Sequence, residues 1–435
     1  MSTSIKYSVV VKSFFFPPIC VAIVTLAAWF PYGGGDAPRE PQVFAHYMPW
    51  FRAEKTADGQ MIWEHWQWYG KGTKHDPDEI LENGRRDIAA VSYPLIGPYD
   101  GRDPAVLEYH LLTAKAAGID GFIADWYGPG TYSDTVFGEL VKAASRCGMK
   151  VAICLEEKAF PPPYSQAKSR GDLKDVMLRH ITHALATHGR SEAYLRRNGD
   201  PVFLVFPFWG EGPLGSNQLS TQEVAEVLAR VPKEKVLLMR AHFDAPFAGI
   251  ARGNYAWCSF DPKYRAWYYP TVQSAKAEGR IDYWLGMANP GFNDSGVNGW
   301  GAGPRIADRR GTQEYDDTWG DNLKFKPDGV QIVTWNDFEE GTTIEPTEEY
   351  KFTFVDLTEK YVGRLTGRRV DTDDNTWPWR IYKMRKLVGQ LAGGRKQDWN
   401  ARLNDYASDF VDGARFLMGW RLGRLERGLK DALAK

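Results

Sequence analysis

Asp337, Glu339 and Glu340 follow directly on the apolar run Gln331-Ile-Val-Thr-Trp335, so carboxylates gather where a β-strand would empty into a polar loop. If the chain turns helically after Asn336, Asp337 and Glu340 share one face, with Cβ atoms roughly 5–6 Å apart. A continuing strand would send them to opposite faces. Two carboxyl groups that close cannot ionise equally easily. One stays protonated as a general acid while the other serves as base or nucleophile, the division of labour that cleavage of a glycosidic bond requires. The plain alternative is an N-capping cluster, because Asp and Glu are favoured in the first turn of any helix. Residues elsewhere in the chain favour chemistry.

Strand-like runs at 43–47, 90–95, 121–125, 151–156, 202–206, 236–240, 255–260 and 330–335 alternate with segments of helical period at 104–117, 135–147, 173–185 and 221–229. That alternation predicts an α/β fold, a (β/α)8 TIM barrel over residues 42–350. A further run, 283–287, reads equally as a strand or as part of a loop. His46, Tyr47, Tyr93, Asp125, Trp126, Glu156, Glu157, Asp261, Asp337 and Glu340 all fall at the carboxyl ends of these runs. In a barrel those ends meet at one face, where active sites are built. A doubly wound sheet also collects ligands there, but no glycine-rich fingerprint follows the first strand. The interval 289–320 is rich in Gly, Asn, Asp and Trp and is read as a functional cover, with Trp300 and Trp319 as its aromatic elements. Residues 351–435 form a C-terminal helical extension expected to pack on the barrel. Its last amphipathic stretch, 410–433, is read as a packed helix, with attachment to a membrane surface as the alternative.

The 54 basic and 55 acidic residues leave a net charge of −1, which gives no reason to expect nucleic acid as a partner. Aromatics make up 14% of the chain, with 17 Trp and 21 Tyr, a supply of rings with polar handles that suits sugar faces and hydroxyls. The four cysteines show no CxxC spacing, so neither a zinc site nor a disulfide framework is implied. The eight histidines form no HxxH or HExxH cluster with an acidic partner. His180 and His183 stand three apart on a predicted helix and are read as a plain helical face, so no metal and no cofactor is expected. Residues 1–32 carry Lys6 and Lys12 ahead of the uncharged stretch 13–32, and resemble an export signal or a membrane anchor. Residues 33–41 follow as a Gly/Pro linker. This arrangement places the protein outside the cytoplasm, periplasmic, secreted or lumenal, with the membrane as a partner if the segment is uncleaved.

Five segments together resemble glycoside hydrolase family 99, the endo-α-mannosidase and endo-α-mannanase group, with features of family 71, the α-1,3-glucanases. They are His46-Tyr-Met-Pro-Trp-Phe51, Tyr93-Pro-Leu-Ile-Gly-Pro-Tyr-Asp-Gly-Arg-Asp-Pro104, Gly118-Ile-Asp-Gly-Phe-Ile-Ala-Asp-Trp-Tyr-Gly128, Asn289-Pro-Gly-Phe-Asn-Asp294 and Trp335-Asn-Asp-Phe-Glu-Glu-Gly-Thr-Thr-Ile-Glu-Pro346. The resemblance implies a (β/α)8 barrel. It also implies cleavage of α-linkages in a mannose- or glucose-containing polysaccharide or glycan, endo-acting, by a carboxylate pair. Family 99 typically has glutamate at the first catalytic position, where this chain has Asp337; family 71 has aspartate there. Glu340 is expected as general acid and Asp337 as general base. Tyr47, Trp50, Trp126, Glu156, Tyr255, Trp300 and Asn336 are expected to bind or position the sugar. Two other classes stay open: a carbohydrate-binding or assembly protein that has lost catalysis, and a glycosyltransferase-like protein of surface-polysaccharide biosynthesis.

Overall fold

The computed structural model describes residues 40–434 apart from 208–210, 213, 217, 232–234, 369–374 and 414–416. The expected signal or anchor (1–32) and nearly all of the expected linker lie outside the described residues.

Eight parallel strands close on themselves: β1 Gln42–Tyr47, β2 Gly121–Trp126, β3 Lys150–Glu156, β4 Asp200–Phe206, β5 Leu237–Ala241, β6 Gly253–Tyr255, β7 Tyr283–Ala288 and β8 Gly329–Ile332. Neighbours in sequence are neighbours in space, and β8 pairs back onto β1 with Val43 opposite Val330 and Ala45 opposite Ile332. This is the (β/α)8 barrel expected from the sequence. Helices α1 Pro104–Ala116, α2 Tyr132–Cys147, α3 Arg170–Thr187, α4 Thr221–Arg230, α5 Pro262–Ala277 and α6 Gln313–Phe325 flank it.

Strand alternation sorts the core into two layers. Phe44, Ile123, Ala152, Cys154, Leu204, Met239, Tyr255 and Leu285 form a cluster inside the barrel. Val43, Ala45, Phe122, Ala124, Val151, Ile153, Phe203 and Val205 join the layer shared with the helices. Helices α1 to α5 each begin where a side chain satisfies a free amide. Asp103 caps α1 ahead of Pro104, Thr131 caps α2, and Ser169 and Asp172 form a capping box on α3.

Three expectations about elements need correction. Residues 90–95 are not a strand but part of the long β1–α1 connection, and their one ladder contact is the bridge of Pro94 to Thr347. They precede the first crossover helix, so they have no place in a parallel ladder, and Pro94 lacks an N–H. The barrel strand that takes the vacated place is 283–288, which the sequence left undecided. The strand expected at 255–260 ends at Tyr255, because the chain is by then turning into α5, capped by Asp261 before Pro262. The expected cover 289–320 is partly helical, and Trp319 lies fully buried in α6, stacked on Tyr361 at 5.4 Å.

Among the described residues four helices follow the barrel: α7 Thr353–Thr366, α8 Trp377–Val388, α9 Gly393–Val411 and α10 Met418–Leu433. Helix α8 lies along α1, with Arg385 bound to both carboxylate oxygens of Glu108 at 2.8 Å and Tyr382 against Tyr109. Met418, Leu422 and Leu429 bury one face of α10, while Trp420 stays exposed. Among the described residues no helix is long and apolar enough to cross a membrane.

Candidate active site

The chain leaving β8 is anchored to the exit of β1. Asn336, fully buried, accepts from the Met48 amide at 2.7 Å and donates to the Met48 carbonyl at 3.0 Å and to Tyr99 Oη at 3.0 Å. Trp335 N donates to the His46 carbonyl at 2.7 Å. Asn336 therefore fixes backbone. From this clamp the chain makes a turn that begins at Asp337, closed by the Thr342 amide on the Asp337 carbonyl at 3.2 Å. Asp337 Oδ1 caps the turn by accepting from the Glu340 amide at 2.9 Å. Gly341 completes it at φ +63°, where an added Cβ would lie 2.7 Å from the Asn293 carbonyl oxygen. The capping alternative read from the sequence is thus realised, but with one carboxylate oxygen only. Oδ2 accepts no hydrogen bond from the protein among the described residues.

Asp337 and Glu340 both line a cleft of about 770 Å³ at the carboxyl ends of the strands. Burial comes first in raising Asp337 well above the usual carboxylate range, reinforced by the charges of Glu340 and Glu339. Burial raises Glu340 too, but Arg305 at 3.6 Å and the Trp300 indole N–H at 3.4 Å pull the other way. Arg305 is itself held by the buried Asp294, which accepts from its amide at 2.6 Å and its Nε at 2.7 Å. From the protein groups alone, the proton shared by such a pair rests more firmly on Asp337.

Glu339 points elsewhere, to His65 Nδ1 at 2.9 Å. Burial pulls His65 down, yet the Glu339 carboxylate outweighs it and carries its pKa above the ordinary value. The ring of His65 stacks under Trp50 at 4.9 Å, which presents Trp50 to the cleft. A second carboxyl pair, Asp125 and Glu156, lines the cleft from β2 and β3. Burial raises both, and each feels the other.

Of the residues expected from the sequence, Asp337, Glu340, Trp50, Glu156 and Trp300 meet in this cleft, and Tyr47, Trp126, Tyr255 and Asn336 do not line it. Parity explains two of the exceptions: with His46 and Asp125 facing into the barrel, Tyr47 and Trp126 must face out. Tyr47 Oη meets His110 at 3.1 Å, and the Trp126 indole donates to Asp134 at 3.2 Å. Tyr255 does face inward, but below the cleft, where its hydroxyl donates to the Val205 carbonyl at 3.0 Å. Sequence reasoning missed Asp125 as a lining residue, although its place at the end of β2 was visible. It also missed His65, Tyr127, Lys158, Trp257 and Arg305, which stand on connections without periodicity.

Residues 38–361 match the profile of glycosyl hydrolase family 99. The chain belongs to that family. It is therefore a glycoside hydrolase, and the family 71 resemblance rests on the aspartate at position 337 alone. Similar relatives include the glycoprotein endo-α-1,2-mannosidase-like protein of Danio rerio, 24% identical over 344 residues and 73% of each chain. The glycoprotein endo-α-1,2-mannosidase of Rattus norvegicus is 22% identical over 334 residues, 70% of this chain and 67% of its own. Among solved structures, the GH99 endo-α-mannosidase of Bacteroides thetaiotaomicron superposes with a TM-score of 0.60 at 19% identity, covering 76% of this family 99 chain and 99% of its own. That last likeness is one of fold.

Proposed function

We propose that this glycoside hydrolase cuts α-linkages inside a mannose-containing glycan, with Asp337 as general base and Glu340 as general acid. The observation that carries the reading is the single turn that sends both carboxyls into one aromatic-walled cleft. The open side of Asp337, Oδ2, is where a sugar hydroxyl or a water donates its hydrogen. Such a bond favours the ionised carboxylate, so substrate itself shifts the pair toward an ionised Asp337 and a protonated Glu340. Glu340, at the mouth beside Trp300 and Arg305, then delivers its proton to the leaving oxygen as the glycosidic C–O bond breaks. The base takes its proton either from water, with inversion, or from a hydroxyl of the substrate, with retention through an anhydro sugar. Trp50 and Trp300 supply ring faces, and Asp125 and Glu156 supply hydrogen-bonding groups for sugar hydroxyls.

Incubating the purified protein with α-mannans, α-1,3-glucans and mannose-rich glycans tests the reading, with release of oligosaccharides from the α-mannose substrates as the expected result. Binding without release, unchanged in Asp337→Ala and Glu340→Ala, would instead identify a binding protein. Product formed only with an activated sugar donor would identify a transferase. The anomer first formed, followed by NMR, separates inversion from retention. We place the enzyme outside the cytoplasm, its residues 1–32 serving as signal or anchor. Fractionation with determination of the mature N-terminus checks that placement.

A further inference from the structure

Outside the cleft, three side chains converge on one point between α2 and α3. Asp134, in the first turn of α2, has Oδ1 3.0 Å from His188 Nε2 and Oδ2 3.4 Å from His183 Nε2. Their ligand-type atoms all lie within 4.8 Å of one another. The sequence reading paired His183 with His180 and found no acidic partner. The fold supplies that partner from α2, 49 positions earlier in the chain, while His180 turns to the edge of Trp126 instead. The carboxylate is held in place independently of the histidines: the Trp126 indole N–H donates to Oδ1 at 3.2 Å and the Gly130 amide to Oδ2 at 2.9 Å. His183 is 32% exposed and His188 11%, so an ion and its waters can reach the cluster from solvent.

We propose that Asp134, His183 and His188 form a binding site for a late first-row divalent cation of the zinc class. Two imidazoles and one carboxylate leave a fourth position for water, a donor set suited to such ions and poorly suited to calcium or magnesium. The outer donors from Trp126 and Gly130 play the part that orienting bonds play around metal ligands generally. Binding needs no redox partner: the ion takes the Nε2 lone pair of each neutral imidazole, the ring proton then residing on Nδ1, and replaces the hydrogen bonding of the rings to Asp134. An ion there ties the start of α2 to the end of α3. It also fixes the connection after β2 and the first turn of α2, which lend Tyr127 and Thr131, and Tyr132 and Ser133, to the cleft wall. The site is thus a brace for the substrate cleft rather than part of its chemistry.

The test uses the full chain, stripped with chelator and titrated with zinc chloride by calorimetry, alongside thermal melts with and without the ion. Expected are one equivalent of zinc per chain and a rise in melting temperature of several degrees. His183→Gln and His188→Gln should each weaken the affinity by at least ~10-fold. His183→Gln, on a partly exposed ring, should keep the metal-free melting temperature of the wild type. An absent zinc response in the wild type overturns the proposal. So does an undiminished response in both variants, which would place the ion elsewhere, for instance among His46, Asp125 and Cys154 at the cleft floor.

Discussion

Replacing Glu340 with Gln isolates the acid's part in the proposed reaction. The amide keeps the size of the side chain and can still accept the 3.4 Å bond from Trp300, and the backbone bond from the Glu340 amide to Asp337 is untouched. What is lost is a transferable proton. Positioned general acids contribute about 10²–10⁴-fold, equivalent to about 2.7–5.4 kcal/mol of barrel-site stabilisation of the transition state. The loss should appear in full on a natural glycan, whose leaving hydroxyl needs protonation. It should nearly vanish on an aryl glycoside whose leaving group departs as an anion. Asp337→Asn should lose activity on both substrates, since the base is needed whatever the leaving group. The pH profile of kcat, which reports the substrate-bound pair, gives an independent reading: the wild-type bell should lose its alkaline limb in Glu340→Gln, because no acid remains to deprotonate. Its acidic limb, set by Asp337, should stay near its wild-type position, because Glu340 is already protonated and uncharged while Asp337 ionises, as the amide is in the variant. Burial still holds that limb above the ordinary carboxylate range. Equal losses on both substrates in both variants, or an alkaline limb that persists in Glu340→Gln, would refute the assignment of roles.

Trp300→Ala removes a ring 45% exposed at the cleft mouth and the N–H that favours ionised Glu340. KM should rise roughly 3–10-fold, as for loss of an aromatic contact of about 1 kcal/mol, and the alkaline limb of kcat should move to higher pH. Asn336→Ala should lower unfolding free energy by about 2–4 kcal/mol in denaturant titrations, because it leaves buried Met48 backbone groups unpaired. Glu156→Gln should raise stability at pH 8 and leave it unchanged near pH 4. The folded pair binds protons more tightly than the unfolded chain, so wild-type stability falls as pH rises from the ordinary carboxylate range through the raised folded values. Thermal melts at the two pH values check the sign, with a gain of about 1–3 kcal/mol expected from relief of a raised buried carboxyl.

The barrel was legible in the sequence because its signal is periodic: short apolar runs alternating with amphipathic helices leave few other folds. The errors arose where two local signals look alike. Residues 90–95 and 283–288 are equally apolar, and only the requirement for a crossover helix on either side separates them. Within strands, composition drew attention to Trp126, whereas the alternation Phe122, Ala124, Trp126 already assigned it to the outer layer and Asp125 to the interior. The catalytic turn was readable because its residues are contiguous. Arg305 and His65 were not, since each reaches the cleft from a connection whose path depends on tertiary packing.

The Asn336 clamp joins the exits of β1 and β8 across 288 positions of sequence. On a ribosome, the first half of that junction is made long before the second. No nascent fragment lacking the last strand can therefore assemble the acid–base turn, however well its earlier segments fold. Hydrolytic competence arrives in one step, when the seam is sealed, and a chain truncated before residue 336 is expected to be a non-hydrolytic scaffold rather than a weakened enzyme.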